Sequence, residues 1–127
     1  MRLTTPALLS FLLISLLAIS SPLFAHHGNA SYDTSKSVTV SGTVTEYIWA
    51  NPHVFLRVDA KDESGSTVHW VLEGQNAPTQ ASAGWTKSMF KPGDQVMVEA
   101  TPAKNGRPIG RFRGRIVING QEFKPLG

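Results

Sequence analysis

The stretch KSVTVSGTVTEYIWANPHVFLRVDAK, residues 36–61, decides the fold. From Lys36 to Trp49, Val38, Val40, Gly42, Val44 and Ile48 share one parity, while Thr39, Ser41, Thr43 and Thr45 take the other. Such alternation marks a half-buried strand. Gly42 falls mid-strand, where a small barrel needs a bulge or a sharp bend. Asn51-Pro52 then turns the chain. A second strand, from His53 to about Lys61, sets Val54, Leu56, Val58 and Ala60 on one face and His53, Phe55, Arg57 and Asp59 on the other. The corner between the two strands, Trp49-Ala50-Asn51-Pro52-His53, places a large aromatic and a strand-entry imidazole close together.

Downstream, Ser66 to Glu73 reads as a third strand with Val68, Trp70 and Leu72 opposite His69, Val71 and Glu73. A three-residue loop, Glu63-Ser64-Gly65, pairs like faces if Gly65 takes the left-handed conformation. The register this predicts sets Val58 against Trp70, Leu56 against Leu72 and Asp59 against His69. From Asn76 to Phe90 the period of two is lost. Asn76 is placed to cap a short helix starting at Ala77-Pro78, Gly84 to end it, and Thr86 to cap another turn. Trp85 and Phe90 are expected to plug one barrel end. Lys91-Pro92-Gly93-Asp94 is a turn, followed by a fourth strand from Gln95 to Thr101 with Val96, Val98 and Ala100 inward. A fifth strand is expected over about Arg113 to Ile118, before Asn119-Gly120 turns into a tail with Phe123. Three strands, a short helix and two strands make an all-β, five-stranded oligonucleotide/oligosaccharide-binding (OB)-like barrel the expected fold. A small open β-sandwich is the alternative.

Upstream, residues 1–25 read as a signal peptide. Arg2 supplies the positive start, Ala7 to Ile19 an apolar run, and Ala25 a small residue for cleavage. The run is short for a membrane span, which needs about 20 apolar residues, so none is expected after cleavage. Residues 26–35 then form an N-terminal arm and 36–127 a single barrel domain of a size that supports one modest core. Without Arg2 the twelve basic residues fall to eleven, against nine acidic, too near balance to imply a polyanionic partner. Export to the periplasm also separates the chain from cellular nucleic acid. The chain has no cysteine, which excludes disulfides and thiolate ligands.

Cleavage after Ala25 would make His26 the new N-terminus. An α-amine titrates near ~7.7–8 and an imidazole near ~6.5, so both nitrogens reach a metal at little proton cost. This chelate resembles the histidine brace of copper polysaccharide monooxygenases, with His53, or His27 by a local chelate, as the second imidazole. Nitrogen ligands favour Cu(II) over Zn(II) or Ni(II). A solvated His tract is the plainer explanation of His26-His27, as a hydrogen-bonded corner residue is of His53. His69 opposite Asp59 reads as an ordinary cross-strand pair. Phe55, Arg57, His69 and Glu73 form a mixed outer surface where OB barrels carry ligands. Arg107, Arg111, Arg113 and Arg115 read as a charged edge and loop. No phosphate loop, metalloprotease helix, nucleophile elbow or close carboxylate pair is present, so no enzyme is expected.

At His26-His27, Gly42-Thr43-Val44, Trp49-x-Asn51-Pro52-His53, Trp70-x-x-Glu73 and Lys91-Pro92-Gly93-Asp94, the chain resembles a family of small uncharacterised proteobacterial exported proteins. Their pattern is HHS, GTV, W-x-NPH, W-x-x-E and KPGD, and Gly28 stands here where the family usually has Ser. The resemblance implies export and a single β domain and assigns no activity. Two expectations follow. One is a periplasmic protein binding Cu(II) or another divalent transition metal through His26, His27 and His53. The other is a metal-free module binding a small ligand or a cell-envelope protein through Phe55, Arg57, His69 and Glu73.

Overall fold

The computed structural model describes residues 31–126. The signal sequence and the His26 and His27 assignments lie outside the described residues. Among the described residues six strands and one helix follow in order: β1 (Val38–Ile48), β2 (Phe55–Lys61), β3 (Thr67–Glu73), α1 (Ala77–Ser82), β4 (Gln95–Pro102), β5 (Ile109–Ile118) and β6 (Gln121–Phe123).

The register of β2 on β3 is the one the loop argument predicts: Leu56 pairs with Leu72, Val58 with Trp70 and Asp59 with His69. The loop explains why. Gly65 has φ +82°, and Asp62 Oδ1 accepts from the Ser64 and Ser66 amides, so the turn fixes which residues face one another. β1 serves two neighbours in succession. Its first half pairs with β4 and its second with β2, and Gly42 and Thr43 pair with both. A side chain at Gly42 would put its Cβ 2.8 Å from Asp59 C and 3.0 Å from Ala60 Cα, so glycine is what lets β2 lie so close. The bulge itself lies further on, between Val44 and Glu46. It reverses the parity of the strand end. Tyr47, not Ile48, is the residue opposite Leu56 that packs on the core, with its ring edge-on to Phe90 at 5.0 Å.

Closure comes from a parallel pairing of β3 with β5 through Val71–Ile109, Leu72–Gly110 and Glu73–Arg111. Together with the order β3-β2-β1-β4-β5, this makes the five-stranded Greek-key barrel of the OB fold. The expected start of the fifth strand at Arg113 was four residues late, and the missing segment is the one that closes the barrel. Apolar alternation fails there because Gly110 takes an inward place already filled by Ala100 Cβ and Leu72 Cδ2, which a Cβ would meet at 3.0 and 3.3 Å. The tail at Phe123 is a short strand, β6, hairpinned to β5.

Val40, Val44, Val54, Leu56, Val58, Leu72 and Val98 fill the interior. Each full burial contributes about 1.5–3 kcal/mol. Trp85 and Phe90 plug one end, and the Trp85 ring is edge-on to Phe90, Phe112 and Phe123. α1 has the expected Asn76 cap, whose side chain accepts from Thr79 N. The second helical turn expected after Thr86 is a plain turn.

Candidate functional site

The β1–β2 corner and the end of β3 meet because Val54 N donates to Gln75 O and Gly74 N to Val54 O, which extends the β2–β3 ladder past its last named residues. This brings His53 against Glu73 and Gly74. His53 Nδ1 lies 3.1 Å from Gly74 O and 3.2 Å from Glu73 Oε1. Both neighbours are acceptors, so Nδ1 carries the proton and donates. In the neutral ring this leaves the lone pair on Nε2, on a side chain 37% exposed. Phe55 stands edge-on to the ring at 6.3 Å.

Glu73 shares the strand face of His69 and Val71, yet the residue is only 3% exposed. The N-terminal arm covers it. Asp33 N donates to Pro102 O and Lys104 N to Ser31 O, while Tyr32 forms a bridge with Ala103. The arm is thereby docked at the end of β4, and Tyr32, 2% exposed, donates its hydroxyl to Glu73 Oε2. The Arg111 guanidinium stacks 4.6 Å over the Tyr32 ring, from the β5 position paired with Glu73. Burial, then the hydrogen bond and charge of Glu73, push the Tyr32 phenol far above its usual value, with Arg111 opposing. The phenol therefore stays a donor. A buried carboxylate is costly unless its oxygens are satisfied. Here one oxygen takes a phenol and the other faces an imidazole.

The sequence-derived residues separate into two groups. His53 and Glu73 come together, with Tyr32 and Arg111 as members that the sequence reading left aside. Arg57, His69 and Phe55 stay on the outer face of β2 and β3. Arg57 Nε pairs with Glu46 at 2.9 Å and His69 Nδ1 with Asp59 at 2.6 Å, both largely exposed, so each pair is worth at most about 1 kcal/mol and yields to a competing ligand. Among the described residues no group of three His, Cys, Asp or Glu converges to hold a metal ion. They contribute His53 to the expected set. The arginine run is partly engaged within the fold: Arg113 donates to Lys36 O and Arg115 pairs with Glu122. An open depression of about 370 Å³ between the Lys91–Asp94 turn and the β5–β6 hairpin is bordered by none of the sequence-derived site residues. No helix among the described residues is long and apolar enough to cross a membrane.

Residues 13–112 match the model of a family described as a family of unknown function, DUF6152. No curated protein matches the chain. Among solved structures, the chain is similar to the mitochondrial single-stranded DNA binding protein Rim1 of S. cerevisiae, at 15% identity and a TM-score of 0.49 over 65% of this chain and 92% of that one. It is also similar to the OB-fold domain of the heme chaperone CcmE from Desulfovibrio vulgaris, at 23% identity and a TM-score of 0.42 over 75% and 94% of the two chains.

Proposed function

The chain belongs to this family of unknown function, DUF6152, and from that premise we propose that it is an exported periplasmic binding protein with a divalent metal site, Cu(II) being the preferred ion. The observation that carries the reading is His53: its Nδ1 is committed to Gly74 O and Glu73, and Nε2 is left as a ligand nitrogen. A histidine backed by a carboxylate or backbone carbonyl is the usual arrangement around a protein-bound metal. A single imidazole is too few, and the remaining nitrogens come from His26, with its α-amine after cleavage, and His27. Covalent reach supports the pairing. Tyr32 is fixed to the carboxylate that His53 faces, and His27 stands five residues before it, a span of at most about 17 Å of extended chain. Nitrogen ligation without thiolate suits Cu(II) ahead of Zn(II). The metal would supply Lewis acidity or one-electron chemistry, while the chain supplies ligands and their orientation.

The test is calorimetric titration of Cu(II) and Zn(II) into protein exported and processed by the cell, with its N-terminus sequenced. The expected result is one-to-one Cu(II) binding that weakens both in His53→Ala and when one alanine is added before His26. Binding indifferent to both changes overturns the metal reading and directs attention to the Phe55, Arg57 and His69 face, where a metal-free module would take its ligand.

A further inference from the structure

We propose that Glu73 and Tyr32 are positioning residues that assemble the His53 site, Glu73 by fixing the tautomer of the imidazole and Tyr32 by clamping the N-terminal arm to the same carboxylate. The inference deepens the metal reading above and rests on it for its purpose, though not for its geometry.

A protein that only needed to end β3 and close the barrel would have no reason to bury a carboxylate there. An apolar residue of similar volume would remove the desolvation cost. Glu73 instead has its two oxygens divided between two segments that are 21 residues apart in sequence, Tyr32 of the arm and His53 of the β1–β2 corner. Arg111 adds positive charge from the adjacent strand through its stacking on Tyr32. Each partner has a distinct consequence. The Oε1 side joins Gly74 O in favouring the proton on Nδ1 of His53, which in the neutral ring turns the Nε2 lone pair outward. The Oε2 side ties Tyr32, and with it the described part of the arm from Ser31 onward, to the wall of the site. Orientation of the ring and anchoring of the arm at Tyr32 thus share one carboxylate.

Glutamine at this position separates charge and acceptor capacity from shape. An amide accepts through one atom and donates through the other, so if its oxygen takes the Tyr32 hydroxyl its nitrogen faces His53 Nδ1. That arrangement sets an amide donor against Nδ1–H and leaves Gly74 O as its sole acceptor there, which shifts population toward the opposite tautomer. In Tyr32→Phe the ring and its contact with Arg111 remain and only the hydroxyl is lost.

The experiment uses nitrogen-15-labelled, processed protein without added metal, and reads the His53 tautomer from long-range proton–nitrogen couplings in the wild type, Glu73→Gln and Tyr32→Phe. Calorimetric Cu(II) titrations and amide hydrogen exchange follow on the same samples. The wild type is expected to hold the proton on Nδ1. Glu73→Gln is expected to move a substantial part of the population to Nε2–H and to weaken Cu(II) binding about 10- to 100-fold, the usual loss when a ligand's supporting partner is removed. Tyr32→Phe should leave the tautomer in place, speed exchange of the Asp33 and Lys104 amides at least tenfold, and weaken Cu(II) binding. An unchanged tautomer in Glu73→Gln, or unchanged exchange of both amides in Tyr32→Phe, overturns the assignment. A tautomer that moves as expected in a protein that never binds Cu(II) upholds the positioning role and removes the metal reading. Wild-type binding that Glu73→Gln leaves intact removes the positioning role and keeps the metal. If Glu73→Gln fails to fold, the wild-type tautomer and the Tyr32→Phe data decide, and a wild-type imidazole protonated on Nε2, or unchanged exchange of both amides, overturns the assignment.

Discussion

Gly42→Ala tests whether close approach of β1 and β2 holds the barrel together. The added Cβ would stand far inside van der Waals contact distance of Asp59 O, 2.8 Å from Asp59 C and 3.0 Å from Ala60 Cα. All three atoms are backbone, so no flexible side chain can swing away. The strands must part, and Gly42 is paired to Ala60 on one side and Val96 on the other, so relief toward either neighbour disturbs a ladder. Overpacking of this sort costs about 1–3 kcal/mol. One or two weakened ladder hydrogen bonds add about 1 kcal/mol each. The smaller backbone entropy of alanine in the unfolded chain returns about 0.4–1 kcal/mol. The net loss is about 3 kcal/mol. For a domain of this size each kcal/mol lowers the midpoint by about 4–8 °C, so thermal unfolding followed by circular dichroism should move down by about 12–24 °C. Gly74→Ala is the matched control. There the nearest atoms to an added Cβ are Gln80 Cδ and Nε2 at 3.5 Å, ordinary contact distances, and the midpoint should stay within a few degrees of wild type. If Gly42→Ala melts no lower than Gly74→Ala, the close-approach argument is wrong.

Two further outcomes probe the core and the acid limit. Leu72→Ala removes a side chain that is 0% exposed and lies opposite Leu56 within the closing pairing with β5, and should cost about 2–5 kcal/mol, read as a lower urea midpoint with an unchanged slope. Asp94 is held below its ordinary value first by the Asn119 side chain and then by the Lys91 amide. A depressed carboxylate contributes stability that is present above the unfolded value of ~3.9 and is lost as pH falls through the lower folded value. Asp94→Asn should therefore lower the urea midpoint at pH 7, and the gap to wild type should close by pH 2. A gap that persists unchanged into acid would show that the charge of Asp94 does nothing.

Much of the fold was legible because its determinants are local. Alternation in Val38 to Val44 and in Val54 to Ala60 states which residues face inward, and the Glu63-Ser64-Gly65 loop converts that parity into the observed β2–β3 register. Asn76, Gly65 and the Lys91–Asp94 turn each act through their own backbone neighbours. Where inward positions do not carry large apolar groups the signal fails. Gly110 hid the first half of β5, and the bulge before Glu46 exchanged Tyr47 for Ile48 by a one-residue shift that no pattern of valines records.

The site was half legible for a different reason. Parity places Glu73 on the face of His69 and Val71, and that placement is right, but parity cannot say whether a face meets solvent or another segment. Tyr32 decides this by docking from a position 41 residues away. In sequence it is one aromatic in a polar arm, and its single distinguishing mark is that it is the only large apolar side chain between Ala25 and Val38. A lone aromatic ahead of a barrel has little to bury against except the barrel, and its hydroxyl must then find an acceptor inside. The same accounting applied to Glu73 asks for donors, and Tyr32 and the corner histidine are among those that the topology brings to it. Pairing one isolated donor with one isolated acceptor is thus a constraint on tertiary structure that alternation does not contain, and in this chain it identifies the carboxylate on which His53 and the arm both depend.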